Sequence, residues 1–247
     1  MIVKILLIIP AYNEERNIVR TVQSVEAIRS EKRNRGYILD YIVINDGSLD
    51  NTGEICRDNN IKCINLIQNL GIGGAVQTGY IYACIAHYDI AIQFDGDGQH
   101  DINSLDELVM PIIEGKADFV VGSRFVKSVK QDDNFQSTFM RRVGIKYLSF
   151  LLKIFTGIKV KDVTSGYRAA NRYVLEMFAD DYPVDYPEPE SLVMLAKNSV
   201  RISEVAVNMF ERAEGKSSIR AWKSVYYMIK VSLAILCRAF QRSNNKK

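Results

Sequence analysis

At 247 residues and 28.0 kDa the chain is about one and a half domains long at the usual 150 residues per domain, room for one large core with an extension. Its 47% hydrophobic and 25% charged residues, with only 5 Pro and 15 Gly, exclude a disordered, collagen-like or low-complexity protein. The net charge of +3 is uneven, because residues 212–247 hold nine Lys/Arg against one acidic residue, so that tail carries +8 and everything before it about −5.

The opening MIVKILLIIPAY has too short an apolar run after Lys4 for a signal-peptide core and no small-residue cleavage site, so it reads as a buried strand. Strands are expected near Val3–Ile9, Ile38–Asn45, Lys62–Ile67, Ile90–Phe94 and Phe119–Gly122. Helices are expected between them, near Glu15–Arg29, Asn51–Asn59, Gly73–His87 and Ser104–Glu114. This alternation predicts an α/β fold with a mostly parallel central sheet and helices on both faces, and ligands in such sheets bind beyond the carboxyl ends of the strands.

After Arg124 the alternation stops, and residues 124–161 carry nine Lys/Arg against two Asp. An amphipathic helix is expected over Phe139–Phe155, then a helix near Arg172–Phe178, a Pro-flanked turn at DYPEPE, a helix near Ser191–Asn198, a strand near Arg201–Phe210 and a terminal helix over Trp222–Phe240. In that last segment Lys223, Lys230 and Arg238 cluster within about 80° of the helical circumference and leave a wide apolar arc. Its charges make it unfit to span a membrane and fit to lie in a membrane interface or against a small membrane-protein partner, with packing on its own domain as the ordinary alternative. The four Cys, at 56, 63, 84 and 237, have no metal-site spacing and imply reduced thiols in a cytosolic compartment. A pI near 8.5 and the lack of a nucleic-acid-binding motif argue against nucleic acid.

The strand-to-helix loops carry the chemistry. DGDGQHD, residues 95–101, places Asp95 and Asp97 two apart at a strand end, with Gln99 as a third oxygen, a hard-oxygen set suited to a divalent cation that also grips phosphates. A solvated Asp/Gly turn is the competing reading. NDGSLDNT, residues 45–52, offers Asp46 as an acceptor for the imide N–H of a base, or simply a turn before a helix. GIGGAVQTG, residues 71–79, has the first two glycines of a dinucleotide fingerprint but Val76 at the third position, so packing glycines beside a nucleotide pocket fit better.

In their order along the chain, PAYNEE, NDGS, NLGIGGAVQTG, DGDGQH, GSRF, DVTSGYRA and ERAEGKSS resemble the family-two glycosyltransferases of GT-A fold. Within that family they are most similar to the dolichyl-phosphate-mannose synthase branch and its bacterial polyprenyl-phosphate glycosyltransferases. The resemblance runs from about Ile2 to Ile219, leaving 220–247 as a basic amphipathic helix and tail; Asn45-Asp46 stands where the family often has paired aspartates.

The resemblance implies metal-dependent, inverting transfer of a sugar from a nucleotide-sugar, expected to be UDP-linked, to a polyprenyl phosphate. Pro10, Tyr12 and Glu14 would cradle the nucleotide, Asp46 would hold the base and Asp95 would lie near the ribose and metal. Asp97 with Gln99 would coordinate Mg²⁺ or Mn²⁺. Arg124, Arg212 and Lys216 match positions near phosphate-binding loops, and Arg142 and Arg168 would meet the acceptor phosphate. A lipid phosphate needs no general base, whereas a sugar hydroxyl would need a carboxylate, for which Glu188 and above all Glu190 are the candidates. The resemblance therefore carries a second reading, transfer to a hydroxyl of a growing cell-surface glycan. A silent nucleotide-binding or scaffolding module is a third, opposed by the joint presence of Asp95, Asp97 and Gln99. The expected place is the cytoplasm, peripherally at the inner face of the cell membrane.

Overall fold

The computed structural model describes residues 2–33, 36–126, 139–210 and 221–241. Its first half alternates as expected: β1 (Val3–Ala11), α1 (Ile18–Arg33), β2 (Tyr37–Asn45), α2 (Thr52–Asp58), β3 (Cys63–Asn65), α3 (Gly71–Ile85), β4 (Ile90–Gln93), α4 (Leu105–Ile113) and β5 (Phe119–Ser123). There follow α5 (Phe139–Thr156), β6 (Arg168–Asn171), α6 (Arg172–Asp180), α7 (Pro187–Lys197), β7 (Ile202–Ala206) and α8 (Ala221–Phe240).

The seven strands form one sheet in the order β3-β2-β1-β4-β6-β5-β7. Every pairing is parallel except those of β6, which runs antiparallel to both β4 and β5. β1 is apolar throughout because it is covered on both faces. Ile5, Leu7 and Ile9 pack with α1 and α4, while Leu6 and Ile8 pack with α3, α6 and α7. Helix α3 lies flush on β1 at Gly79, where a Cβ would come within 2.2 Å of Ile8; Val76, at the third fingerprint position, is a buried core residue.

Two expectations are corrected. No strand was expected over Arg168–Asn171, yet it is a middle strand of the sheet. The DYPEPE stretch is not a turn: α7 begins at Pro187, where a proline's missing N–H and fixed φ suit the first helical position.

Helix α8 packs against α5 and α7, burying Val231 and Ile235, and Lys197 Nζ donates to the Arg238 carbonyl at 2.7 Å. Gly144 of α5 faces Met228 of α8, Tyr147 bonds Ser232, and the Phe155 and Phe240 rings lie 6.0 Å apart, so the two helices run parallel, side by side. Among the described residues no helix is long and apolar enough to cross a membrane.

Candidate active site

The loops at the carboxyl ends of β1, β2 and β4 meet because their side chains satisfy one another's backbone groups. Asn13, at φ +55°, donates its N–H to Ser48 Oγ at 3.0 Å, and its side-chain oxygen accepts from the Leu49 amide at 2.9 Å. The Glu14 amide donates to Thr52 Oγ1 at 2.9 Å, and Glu15 and Asp50 exchange similar bonds with the opposite loop. PAYNEE and NDGSLDNT are therefore one interlocked unit. The half-buried Glu14 carboxylate accepts from Asn17 at 2.8 Å, while Tyr12 stays 43% exposed beside it, free of the core and able to stack on a planar ligand.

Asp46 is buried and accepts the Leu70 amide at 2.7 Å, which draws the NLGIGG loop to the same place. Desolvation raises its pKa, and the Leu70 hydrogen bond offsets part of that. Gly47, at φ +62°, could not be another residue, since a Cβ there would sit 2.6 Å from the Gln68 backbone. Pro10 presents its carbonyl to the Gly96 amide at 3.3 Å, joining the first loop to DGDGQHD.

In that third loop Asp97 accepts the Gln99 amide at 3.0 Å, and Gly98 takes φ +75° to complete the turn. Asp95 is held from two sides, by His100 Nε2 at 3.0 Å on Oδ2 and by Gln93 Nε2 at 3.2 Å on Oδ1. Gly166 presses on the same carboxylate, where a Cβ would approach Oδ2 to 2.7 Å. His100 is buried between Phe94 and Tyr167. Gln93 and His100 were not singled out from the sequence. The available signal was one amide ending the otherwise apolar strand IAIQ, since a buried polar residue is the informative kind.

The cations divide. Arg124 grips buried Asp162 with Nε and Nη2, each at 2.7 Å, and reaches Thr164 at 3.1 Å; its side chain is 6% exposed. Glu204 accepts the amides of Lys161 and Asp162, so Arg124 is an anchor joining GSRF to DVTSGYR. Arg168 is 1% exposed and donates to the carbonyls of Ser165, Val163 and Glu188 and to Ser191 Oγ, which corrects its expected placement at an acceptor phosphate. Arg142 is exposed near the start of α5. Arg212 and Lys216 lie outside the described residues, but the chain leading to them is pinned to the third loop: Phe210 donates its N–H to the Gln99 carbonyl at 2.8 Å, and Met209 bridges His100. Arg212 is thus two residues beyond a fixed contact with DGDGQH.

The two carboxylates at the start of α7 face different ways. The Glu188 carboxylate feels the charges of Arg168 and Asp95, whereas Glu190 feels those of Arg238, Asp185 and Asp181. Desolvation raises both pKa values, opposed by Arg168 for Glu188 and by Arg238 for Glu190.

A mostly parallel sheet that brings three such loops together at the ends of β1, β2 and β4 defines the GT-A class of transferase fold. Glucosyl-3-phosphoglycerate synthase from Mycobacterium tuberculosis, solved with Mn²⁺, uridine diphosphate and phosphoglyceric acid, superposes with a TM-score of 0.67 at 18% identity over 98% of this chain and 80% of that one. At that identity the likeness speaks for the fold alone. The chain belongs to glycosyl transferase family 2, whose model matches residues 6–178. It is 31% identical to the UDP-N-acetylglucosamine–dolichyl-phosphate N-acetylglucosaminyltransferase of Methanococcus voltae, over 93% of this chain and 96% of that protein. It is 27% identical to the undecaprenyl-phosphate mannosyltransferase of Micrococcus luteus, over 87% of each. The chain is a glycosyltransferase of this family.

Proposed function

We propose that the chain transfers a sugar from a nucleotide-sugar, UDP-linked, to a polyprenyl phosphate at the inner face of a cell membrane, with inversion at the anomeric carbon. The observation that carries this reading is the gathering of Asp46, Asp95 and Asp97 at one end of the sheet, in a chain whose nearly full-length relatives are named for dolichyl- and undecaprenyl-phosphate acceptors. Asp46 would accept from the base, Tyr12 would stack on it, and Pro10 and Glu14 would shape the loop around it. The donor set at Asp95 and Asp97 is hard oxygen, which fits Mg²⁺ or Mn²⁺, with Gln99 and donor phosphate oxygens completing the shell. Such an ion, when bound, stabilises negative charge on the departing diphosphate. Arg212 and Lys216 of ERAEGKSS would add positive charge toward the diphosphate.

The acceptor phosphate is ionised near neutral pH, so one of its oxygens can attack directly. The new bond forms from that oxygen to the anomeric carbon, while the bond from that carbon to the diphosphate oxygen breaks and its electron pair leaves on the nucleoside diphosphate. No protein base is needed, and the enzyme's task is alignment and charge stabilisation. Incubation with a panel of nucleotide-sugars and a short-chain polyprenyl phosphate should yield one lipid-phosphate-sugar product. In the same assay Glu190→Gln should change turnover little. A drop of roughly 10²–10⁴-fold with donor binding intact would instead indicate a hydroxyl acceptor served by this carboxylate.

Helices α5 and α8 support the membrane part of the reading. Val143, Tyr147, Phe150 and Ile154 make one exposed stripe on α5, and Tyr226, Ile229 and Leu233 make another on α8, each residue 46–60% exposed. Because the helices are neighbours, the stripes can meet one surface. Exposed Lys146, Lys153 and Lys230 flank them, and Lys230 lies 4.7 Å from the Tyr226 ring centre. Basic groups near an anionic leaflet contribute about 1 kcal/mol each. Deleting α8 would uncover the core it covers, so exposed-face substitutions are the sharper test. Ile229→Asp with Leu233→Asp should lower partition into anionic vesicles at least about tenfold, since burying each side chain contributes roughly 1.5 kcal/mol or more, with nucleotide binding unchanged. Unchanged vesicle binding would leave this face to a small membrane-protein partner.

A further inference from the structure

Among the described residues three buried side-chain atoms lack a hydrogen-bond partner, and two of them, Gln93 Oε1 and His100 Nδ1, belong to the residues that hold Asp95. Gln93 is 1% exposed at the end of an otherwise apolar strand, and the His100 ring lies 5.6 Å from the Phe94 ring and 4.7 Å from that of Tyr167. An ionised carboxylate only accepts, so the Gln93 Nε2–H must face Oδ1, at 3.2 Å, and the His100 Nε2–H must face Oδ2, at 3.0 Å. Each donor turned toward Asp95 leaves the other polar atom of its own side chain buried and unpaired. Leucine at 93 and phenylalanine at 100 would fill the same places without that penalty, so the fold keeps the two polar groups for their N–H bonds. The Asp95 side chain is 34% exposed, held on its core side and open on the other. Gly166 takes no positive φ, so space alone is at issue there: a Cβ would come within 2.7 Å of Asp95 Oδ2 and 3.0 Å of Gln93 Nε2. Both are ends of side chains, and an added methyl would displace the carboxylate and its donor rather than any backbone.

We propose that Gln93 and His100 are positioning residues for the donor site, two buried N–H groups that fix one oxygen of Asp95 each and so present its open side to the nucleotide-sugar in a single orientation. This rests on the nucleotide-sugar reading above. The terminal torsion of an aspartate is broad, so a carboxylate held at one oxygen still swings, whereas one held at both is set before the donor arrives.

The test is calorimetric titration of UDP and of GDP, each with Mn²⁺, into the full chain and into Gln93→Leu, His100→Phe, His100→Gln and Gly166→Ala, with melting temperatures measured beside it. For the nucleotide that wild type binds, Gln93→Leu, His100→Phe and Gly166→Ala should each weaken Mn²⁺-dependent affinity about 10–100-fold. Gln93→Leu and His100→Phe should melt no lower than wild type, because each removes an orphaned buried atom; side chains kept only for packing would show the reverse, lower melting with affinity unchanged. His100→Gln, whose Nε2–H can reach the same oxygen, should recover most of the affinity. Should His100→Phe not fold, Gln93→Leu and Gly166→Ala carry the same comparison. Unchanged affinity in Gln93→Leu and His100→Phe would overturn the proposal, as would affinity that falls only in step with the melting temperature, or a His100→Gln chain that binds as weakly as His100→Phe. Wild type that binds neither nucleotide would instead overturn the donor reading on which the proposal stands.

Discussion

Asp97→Asn is expected to lower turnover about 10²–10³-fold while leaving the melting temperature within a degree or so of wild type. The substitution keeps the side-chain oxygen that accepts the Gln99 amide, so the turn at Gly98 survives. What it removes is a negative charge at the end of β4, where a hard divalent cation and a diphosphate would be brought together. Two measurements check this. Mn²⁺-dependent binding of the nucleoside diphosphate should be lost in the variant, and wild-type turnover should vanish in excess chelator and return with Mg²⁺ or Mn²⁺. Full turnover in chelator would remove the metal from the mechanism and leave Arg212 and Lys216 as the only charges proposed to oppose the leaving group.

Asp162→Ala is expected to destabilise the fold by about 3–5 kcal/mol, because it breaks a buried ion pair in which the carboxylate holds the Arg124 guanidinium, 6% exposed, in a fork. For a chain of this size that is a fall in melting temperature of roughly 10 °C. Replacing both partners, Arg124→Leu with Asp162→Leu, should recover much of the loss, since two apolar groups then fill the space of a buried ion pair. The paired variant also separates the two roles open to Arg124. If the residue is an anchor, nucleotide affinity returns with stability; a well-folded paired variant that no longer binds nucleotide would give Arg124 the phosphate-binding role its GSRF motif suggested.

Much of the architecture was legible along the chain. The apolar run before PAYNEE, the β-branched run before NDGS and the strand before DGDGQH each announced a covered parallel strand, and each was followed by glycines and Asx residues that turn the backbone. Those signals are local, since a strand buried on both faces must be apolar at every position and a tight turn must contain residues that tolerate it. The same locality made Asp46, Asp95 and Asp97 visible as candidates, because the ends of such strands are where ligands meet a parallel sheet.

What stayed hidden depends on partners distant in sequence. The segment Arg168-Ala-Ala-Asn has no β-branched residue and only four positions, yet it is a strand because β4 and β5 present unpaired edges to it on both sides. Arg124 and Arg168 read as solvent-facing or ligand-facing cations, and only the folded chain brings Asp162, 38 residues from Arg124, and the carbonyls of Val163, Ser165 and Glu188 around them. Glu188 and Glu190 look alike in DYPEPE, and the difference between them arises once α7 sets one in the field of Arg168 and Asp95 and the other in that of Arg238. Composition and periodicity report the face a residue prefers, whereas a charged group's role follows from which donors and acceptors surround it after folding, and burial makes those few long-range contacts decisive.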